Sequence, residues 1–182
     1  MRYLLTGRHP DAAAILLIES GSRGILEKMI APLRQSWGKD VPVDLVSCFA
    51  TLPQGFPPET RLYRVSDYRG TEGRGKLYQT LAANRYSHVG MVCSAEPLMT
   101  KWKWMLAARL PAKVFVINEN ADYFWLDRLH LSNIWMFVLL RTGLAGSGAV
   151  RILARLISFP FTFVYLILYA ATVHTRRVLR RG

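Results

Sequence analysis

The sequence predicts an α/β protein: a Rossmann-like three-layer unit with one parallel sheet between helices, followed by an all-helical, membrane-associated C-terminal region. Three observations carry this. Short apolar runs alternate with segments of helical periodicity through the first 127 residues, the mark of repeated βαβ units. Residues 156–173, LISFPFTFVYLILYAATV, form an uncharged run with arginines on both sides. The net charge of +12 is split unevenly, with +4 in residues 1–127 and +8 in residues 128–182, which hold eight arginines and no acid. The division therefore falls near residue 128, giving one domain over 1–127 and a helical segment with a basic tail over 128–182.

In order, residues 12–18 (AAAILLI) read as a buried strand running into the polar loop Glu19-Ser20-Gly21-Ser22-Arg23-Gly24. Leu26, Ile30, Leu33 and Trp37 recur at helical spacing, so a helix starts near Gly24, with Pro32 bending or shortening it and Gly38 closing it. Residues 41–50 supply the second strand, the proline-rich 51–60 a loop, and 61–65 a strand at the sheet margin. A second helix covers 76–85, with Leu77, Leu81 and Ala82 on one face, and 88–93 is the third buried strand. Glu96-Pro97 suits a helix opening at Ser94 or Ala95, whose apolar stripe is Leu98, Met99, Trp102, Met105 and Leu106. Residues 113–118 make the fourth strand and 119–122 its polar exit loop. Residues 131–140 form an apolar helix too short to span a bilayer, and 142–148 a small-residue turn.

The run 156–173 lies near the short end of a transmembrane span, for which about 20 residues are needed. Trp135, Phe159, Phe163, Tyr165 and Tyr169 are the expected lipid and interface contacts, and Arg176 and Arg177 the headgroup contacts. Pro160 would kink the helix, so spanning and re-entrant or in-plane insertion both fit. The expected partner is membrane lipid at the cytoplasmic face of the inner (plasma) membrane. Asp11 and Glu19 bracket the N-terminal apolar run, which argues against a secretory signal. Nucleic acid is not expected, because the basic part is interleaved with apolar runs. Cys48 and Cys93 read as buried thiols in strands, and the four scattered histidines suggest no metal centre.

Gly70–Lys76, GTEGRGK, has the spacing of a phosphate-binding loop, but Leu77 stands where a magnesium-binding hydroxyl belongs. Ser20, Gly21, Ser22, Arg23 and Gly24 either cradle an anion at a helix N-terminus or merely turn the chain. Glu96, Asn118, Glu119, Asn120 and Asp122, with Glu19 and Asp127, lie at or past strand ends, where carboxylates and amides suit a hydroxyl-rich ligand or act as caps and solvated loop residues. Lys101-Trp102-Lys103-Trp104 either docks on lipid headgroups or places Trp102 in the core and the lysines in water.

ILLIESGSRGILEKMIAPLR (15–34), LYQTLAANRYSHVGMVCSAEP (77–97) and LAARLPAKVFVINE (106–119) follow a strand, loop, helix and Leu-Pro-Ala progression. In this the chain resembles the amino-terminal half of the heptosyltransferase-like glycosyltransferases of GT-B fold, over residues 12 to about 125. The resemblance implies binding of a glycan or lipid-linked acceptor in envelope polysaccharide or glycolipid assembly. It departs at two points. Gly24 matches the family's glycine, but Ile25 replaces the aspartate expected as general base, and the donor-binding second domain gives way to apolar segments. Glu119 or Glu27 are the candidate catalytic carboxylates, no cofactor is implied by a motif here, and a nucleotide-sugar donor would be bound by a protein partner or a second copy. The alternative is a non-catalytic membrane adaptor or scaffold.

Overall fold

The computed structural model describes Tyr3 and residues 7–94, 96, 98–142 and 149–179, without the side chains of 149–153, 156, 173 and 175–179. The chain divides into a unit of residues 1–133 and a second of residues 134–182. In the first, β1 (Ile15–Glu19), β2 (Val43–Ser47), β3 (Leu62–Arg64), β4 (His88–Val92), β5 (Lys113–Ile117) and β6 (Tyr123–Trp125) form one sheet of order β3-β2-β1-β4-β5-β6. β1 to β5 are parallel, with Ile15 beside both Val43 and His88; β6 pairs antiparallel with β5. The order reverses at β1, as in Rossmann-like sheets.

Every residue of β1, β2, β4 and β5 is buried, which accounts for their apolar runs: helices cover both faces of a parallel sheet. α1 (Arg23–Trp37) turns Ile25, Leu26, Met29, Ile30 and Leu33 onto Ile15, Leu17, Leu45, Phe115 and Ile117. Leu16, Ile18, Val89, Met91 and Val116 alternate with these along the strands, and Leu77 of α2 (Gly70–Ala83) and Leu106 of α3 (Thr100–Arg109) are fully buried in the other layer. Pro32 does not break α1, because it sits on the exposed side, where water can satisfy the carbonyl it leaves unpaired. The helix ends at Gly38, whose φ of 102° suits glycine. Gly90 in β4 is fixed by packing: a Cβ there would collide with the Phe115 ring and meet Leu17 at 2.7 Å.

Several expectations are corrected. GTEGRGK forms the first turns of α2 rather than a loop. α3 starts at Thr100, after Met99 in the left-handed region; of the expected stripe it buries Leu106, with Lys103 and Ala107 beside it, while Leu98 is exposed and Trp102 and Met105 are half-buried. β6 was not expected; Asn118 Oδ1 accepts from the Asn120 and Asp122 amides and closes the β5–β6 turn. Cys48 lies exposed just past β2, whereas Cys93 is buried.

The membrane-associated C-terminal region is also corrected. α4 (Leu131–Arg141) forms as expected, and α5 (Ala149–Leu179) runs through Pro160 without interruption. Among the described residues no helix is long and apolar enough to cross a membrane. The uncharged side chains described in α5 cover 157–172, about 24 Å of helix, against a hydrocarbon core of about 30 Å. Ser158, Pro160, Thr162, Tyr165, Tyr169 and Thr172 dilute that stretch; the Ser158, Thr162 and Thr172 hydroxyls bond back to helix carbonyls. Trp135, Phe159, Phe163, Tyr165 and Tyr169 are exposed. The side chains of Arg176 and Arg177 and the turn residues 143–148 lie outside the described residues.

Candidate functional site

Strands β1 and β4 flank the reversal of strand order, and the chain leaves them in opposite directions. Their carboxyl ends therefore open a crevice, the place where open α/β sheets bind ligands. A cavity of about 330 Å³ lies there, lined by Ser22, Gly24, Ile25 and Lys28 from the start of α1, Ser94 and Glu96 after β4, and Glu119 after β5. A larger cavity of about 510 Å³, lined by Asp11, Ala13, Arg85, Ser87 and Pro111 among others, sits at the amino ends of the strands. The topology favours the first, since only there do loops leaving three successive parallel strands converge.

The β1–α1 loop is held from below. Ser20 is fully buried and donates its hydroxyl to Val92 O at 2.6 Å, while the Ser94 hydroxyl reaches Ser20 O at 3.4 Å. Gly21 has a φ of 127°, and a Cβ there would collide with Ser94 Oγ and touch Glu96 Oε2 at 3.4 Å. Only glycine lets the two loops approach this closely. Ser22 occupies the N-cap of α1 but makes no capping bond with its side chain, and no acid stands in the first turn. Among the described residues no side chain caps this end of the helix, where the Ile25 amide bonds to Ser22 O at 3.2 Å and Gly24 and Ile25 line the cavity.

Arg23 is positioned otherwise. Its Nε contacts the buried Glu19 carboxylate at 3.1 Å, its other nitrogens donate to Thr51 Oγ1 and O at 2.9 and 2.6 Å, and its guanidinium lies 4.7 Å over the Phe49 ring. The second Glu19 oxygen accepts from the Ser47 hydroxyl. These bonds tie β1, β2 and the 51–60 loop together. Glu27 accepts from the Gln54 amide at 3.0 Å and does not line the cavity. Asn118, Asn120 and Asp122 build the hairpin turn, and of the strand-exit group Glu96 and Glu119 line the cavity. Ile25 is buried in the core.

Sequence reasoning missed Lys28, Ser94 and Lys103. Lys103 is 5% exposed; its Nζ lies 3.2 Å from Ser20 Oγ and 3.2 Å from Val92 O. The signal was available in the phase of the helix, because Lys103, Leu106, Ala107 and Leu110 fall on one face.

A second polar cluster lies at the amino ends of β4 and β5. The fully buried Lys113 ammonium pairs with Asp127, whose other oxygen contacts His130 Nδ1 at 2.8 Å and accepts from the Leu129 and His130 amides. Burial alone would raise the Asp127 pKa, but the bonds from Lys113 and His130 and the Lys113 charge bring it down to about 2. Burial, with the charges of His9 and Lys113, lowers His88 to about 4. His88 stacks on Trp37 at 5.3 Å and contacts the Ser87 hydroxyl. Asp127 therefore caps the 128–130 turn that leads into α4. Among the described residues no group of His, Cys, Asp and Glu is arranged to hold a metal ion.

No family model and no curated protein matches the chain. Among solved structures, UDP-D-quinovosamine 4-dehydrogenase from Vibrio fischeri aligns with a TM-score of 0.40 and 17% identity, over 65% of this chain and 96% of that one. At that level the likeness carries no weight for function, and the Rossmann-like assignment rests on the strand order and pairing.

Proposed function

We propose that the chain binds a hydroxyl-rich, sugar-type ligand in the crevice between β1 and β4 and serves as the acceptor half of a sugar-transfer system, its donor site supplied by a protein partner or a second copy. The observation that carries this reading is the meeting of three strand-exit loops around one cavity of about 330 Å³, a size that suits a sugar unit. Glu96, Glu119, Ser22 and Ser94 offer carboxylates and hydroxyls to it, the groups that hydrogen-bond sugar hydroxyls. The motif order that resembles the heptosyltransferase-like enzymes supports the same reading. With Ile25 buried and Glu27 committed to the Gln54 amide, Glu119 and Glu96 are the carboxylates placed to take a proton from an acceptor hydroxyl. Calorimetric titration of the full chain with methyl glycosides and sugar phosphates is the test. Saturable binding weakened about tenfold or more by Glu96→Gln or Glu119→Gln, at unchanged melting temperature, supports the reading. Absence of binding to the whole panel, or binding indifferent to both substitutions, overturns it.

A further inference from the structure

Lys103 is the one feature of the crevice that a merely turning loop does not explain. Taking an ammonium out of water costs several kcal/mol unless an opposite charge compensates it. Here its described partners are neutral: the Ser20 hydroxyl and the Val92 carbonyl, each at 3.2 Å. Among the described residues no carboxylate lies in ion-pairing distance of Nζ. Ser20 Oγ donates its own proton to Val92 O, so hydroxyl, carbonyl and ammonium form a closed triangle. Ser94, which lines the cavity, bonds to the carbonyl of the same Ser20.

The placement of charge around the cavity is two-sided. Glu96 and Glu119 make one group; Lys28 and the N-terminal end of α1 make the other, with Lys103 linked to the cavity-lining Ser94 through Ser20. A neutral glycan would use the carboxylates and leave the cationic group without a counterpart. A ligand carrying a phosphate beside its hydroxyls would satisfy both.

We propose that Lys103 is a positioning residue that makes this crevice select phosphorylated sugars over neutral ones, its buried ammonium holding the Ser20 loop and supplying a positive potential behind the phosphate. The inference rests on the sugar-binding reading above and deepens it. Phosphate from a free sugar phosphate, a nucleotide sugar or a lipid-linked sugar presents the same chemistry.

The test compares glucose 1-phosphate with methyl α-glucoside, which share a ring and differ in the phosphate, by titration into the full-length wild type, Lys103→Met and Lys103→Arg. The expected result is a preference of about tenfold for the phosphate in wild type, lost in Lys103→Met because phosphate binding falls further than glucoside binding, and partly restored in Lys103→Arg. Glu96→Gln should weaken the glucoside and leave the preference for phosphate intact. An unchanged preference in Lys103→Met, or equal loss of both ligands, overturns the inference and leaves the sugar-binding reading standing. Should Lys103→Met fail to fold, the wild-type ratio decides: glucoside binding with no preference for phosphate overturns it. Wild type that binds neither compound overturns the sugar-binding reading and this inference with it. UDP-glucose and a short-chain polyprenyl phosphate sugar, added as further arms, distinguish the source of the phosphate.

Discussion

Replacing Asp127 by Asn should destabilise the protein by about 3–5 kcal/mol, because it removes one charge of a fully buried pair and takes the Asp127 charge away from the Lys113 ammonium. The carboxylate has four partners: the Lys113 ammonium on one oxygen, and the Leu129 amide, the His130 amide and His130 Nδ1 on the other. Asparagine keeps an acceptor for the two amides but turns its NH2 toward the Lys113 ammonium, so its cost combines the lost charge with the lost acceptor on that side. Asp127→Ala loses the cap as well and should cost a further 0.5–2 kcal/mol or so. The double variant Lys113→Met/Asp127→Asn should recover much of the loss, since the buried cation is gone. Urea unfolding followed by tryptophan fluorescence is the assay, and Trp125 is a local reporter because the Lys113 ammonium lies 5.9 Å from its ring. Asp127→Asn within about 0.5 kcal/mol of wild type, or a double variant as unstable as the two single losses combined, would refute the reasoning.

Three further predictions concern titration and packing. The pKa of Asp127 is lowered in the folded protein from an ordinary 3.8 to about 2, so its contribution is complete above pH 3.8 and is lost as pH falls through about 2, which an acid unfolding series of wild type against Asp127→Asn will show. His88 is held neutral, with a pKa of about 4 against 6.5. The unfolded chain binds the extra proton between those values, so stability should fall as pH drops from 6.5 to 4, and His88→Gln should flatten that slope. Gly90→Ala drives a methyl into Phe115 and Leu17 and should cost about 1–3 kcal/mol in a thermal or urea melt, partly relieved by Phe115→Leu.

The parallel core was legible because a strand buried on both faces is mostly apolar: the runs at 15–18, 45–46, 89–92 and 114–117 show it directly. Glu19 escaped that pattern, since a carboxylate at 0% exposure survives only through Ser47 and Arg23, which come from elsewhere in the chain. β6 was hidden for a different reason: three residues, Tyr123–Trp125, carry too little periodicity, and the strand exists because Asn118 folds the turn before it. The loop Ser20–Gly24 was found by the tightness of its glycines, yet its arginine turned inward to Glu19 and Thr51. Lys103 was misplaced because a lysine is assigned to solvent by habit of composition, while tertiary packing set the phase of α3. In the C-terminal helix an uncharged run looked like a span until its hydroxyls, proline and described length were weighed.

The most direct measurement of the central claim is hydrogen–deuterium exchange of the full chain with and without glucose 1-phosphate. Slowed exchange confined to residues 20–28, 92–96 and 117–120, the loops around the switch-point cavity, is the predicted result. Protection at the amino-end cavity around Ala13, Arg85, Ser87 and Pro111 instead, with the β1–α1 loop unaffected, would contradict the account.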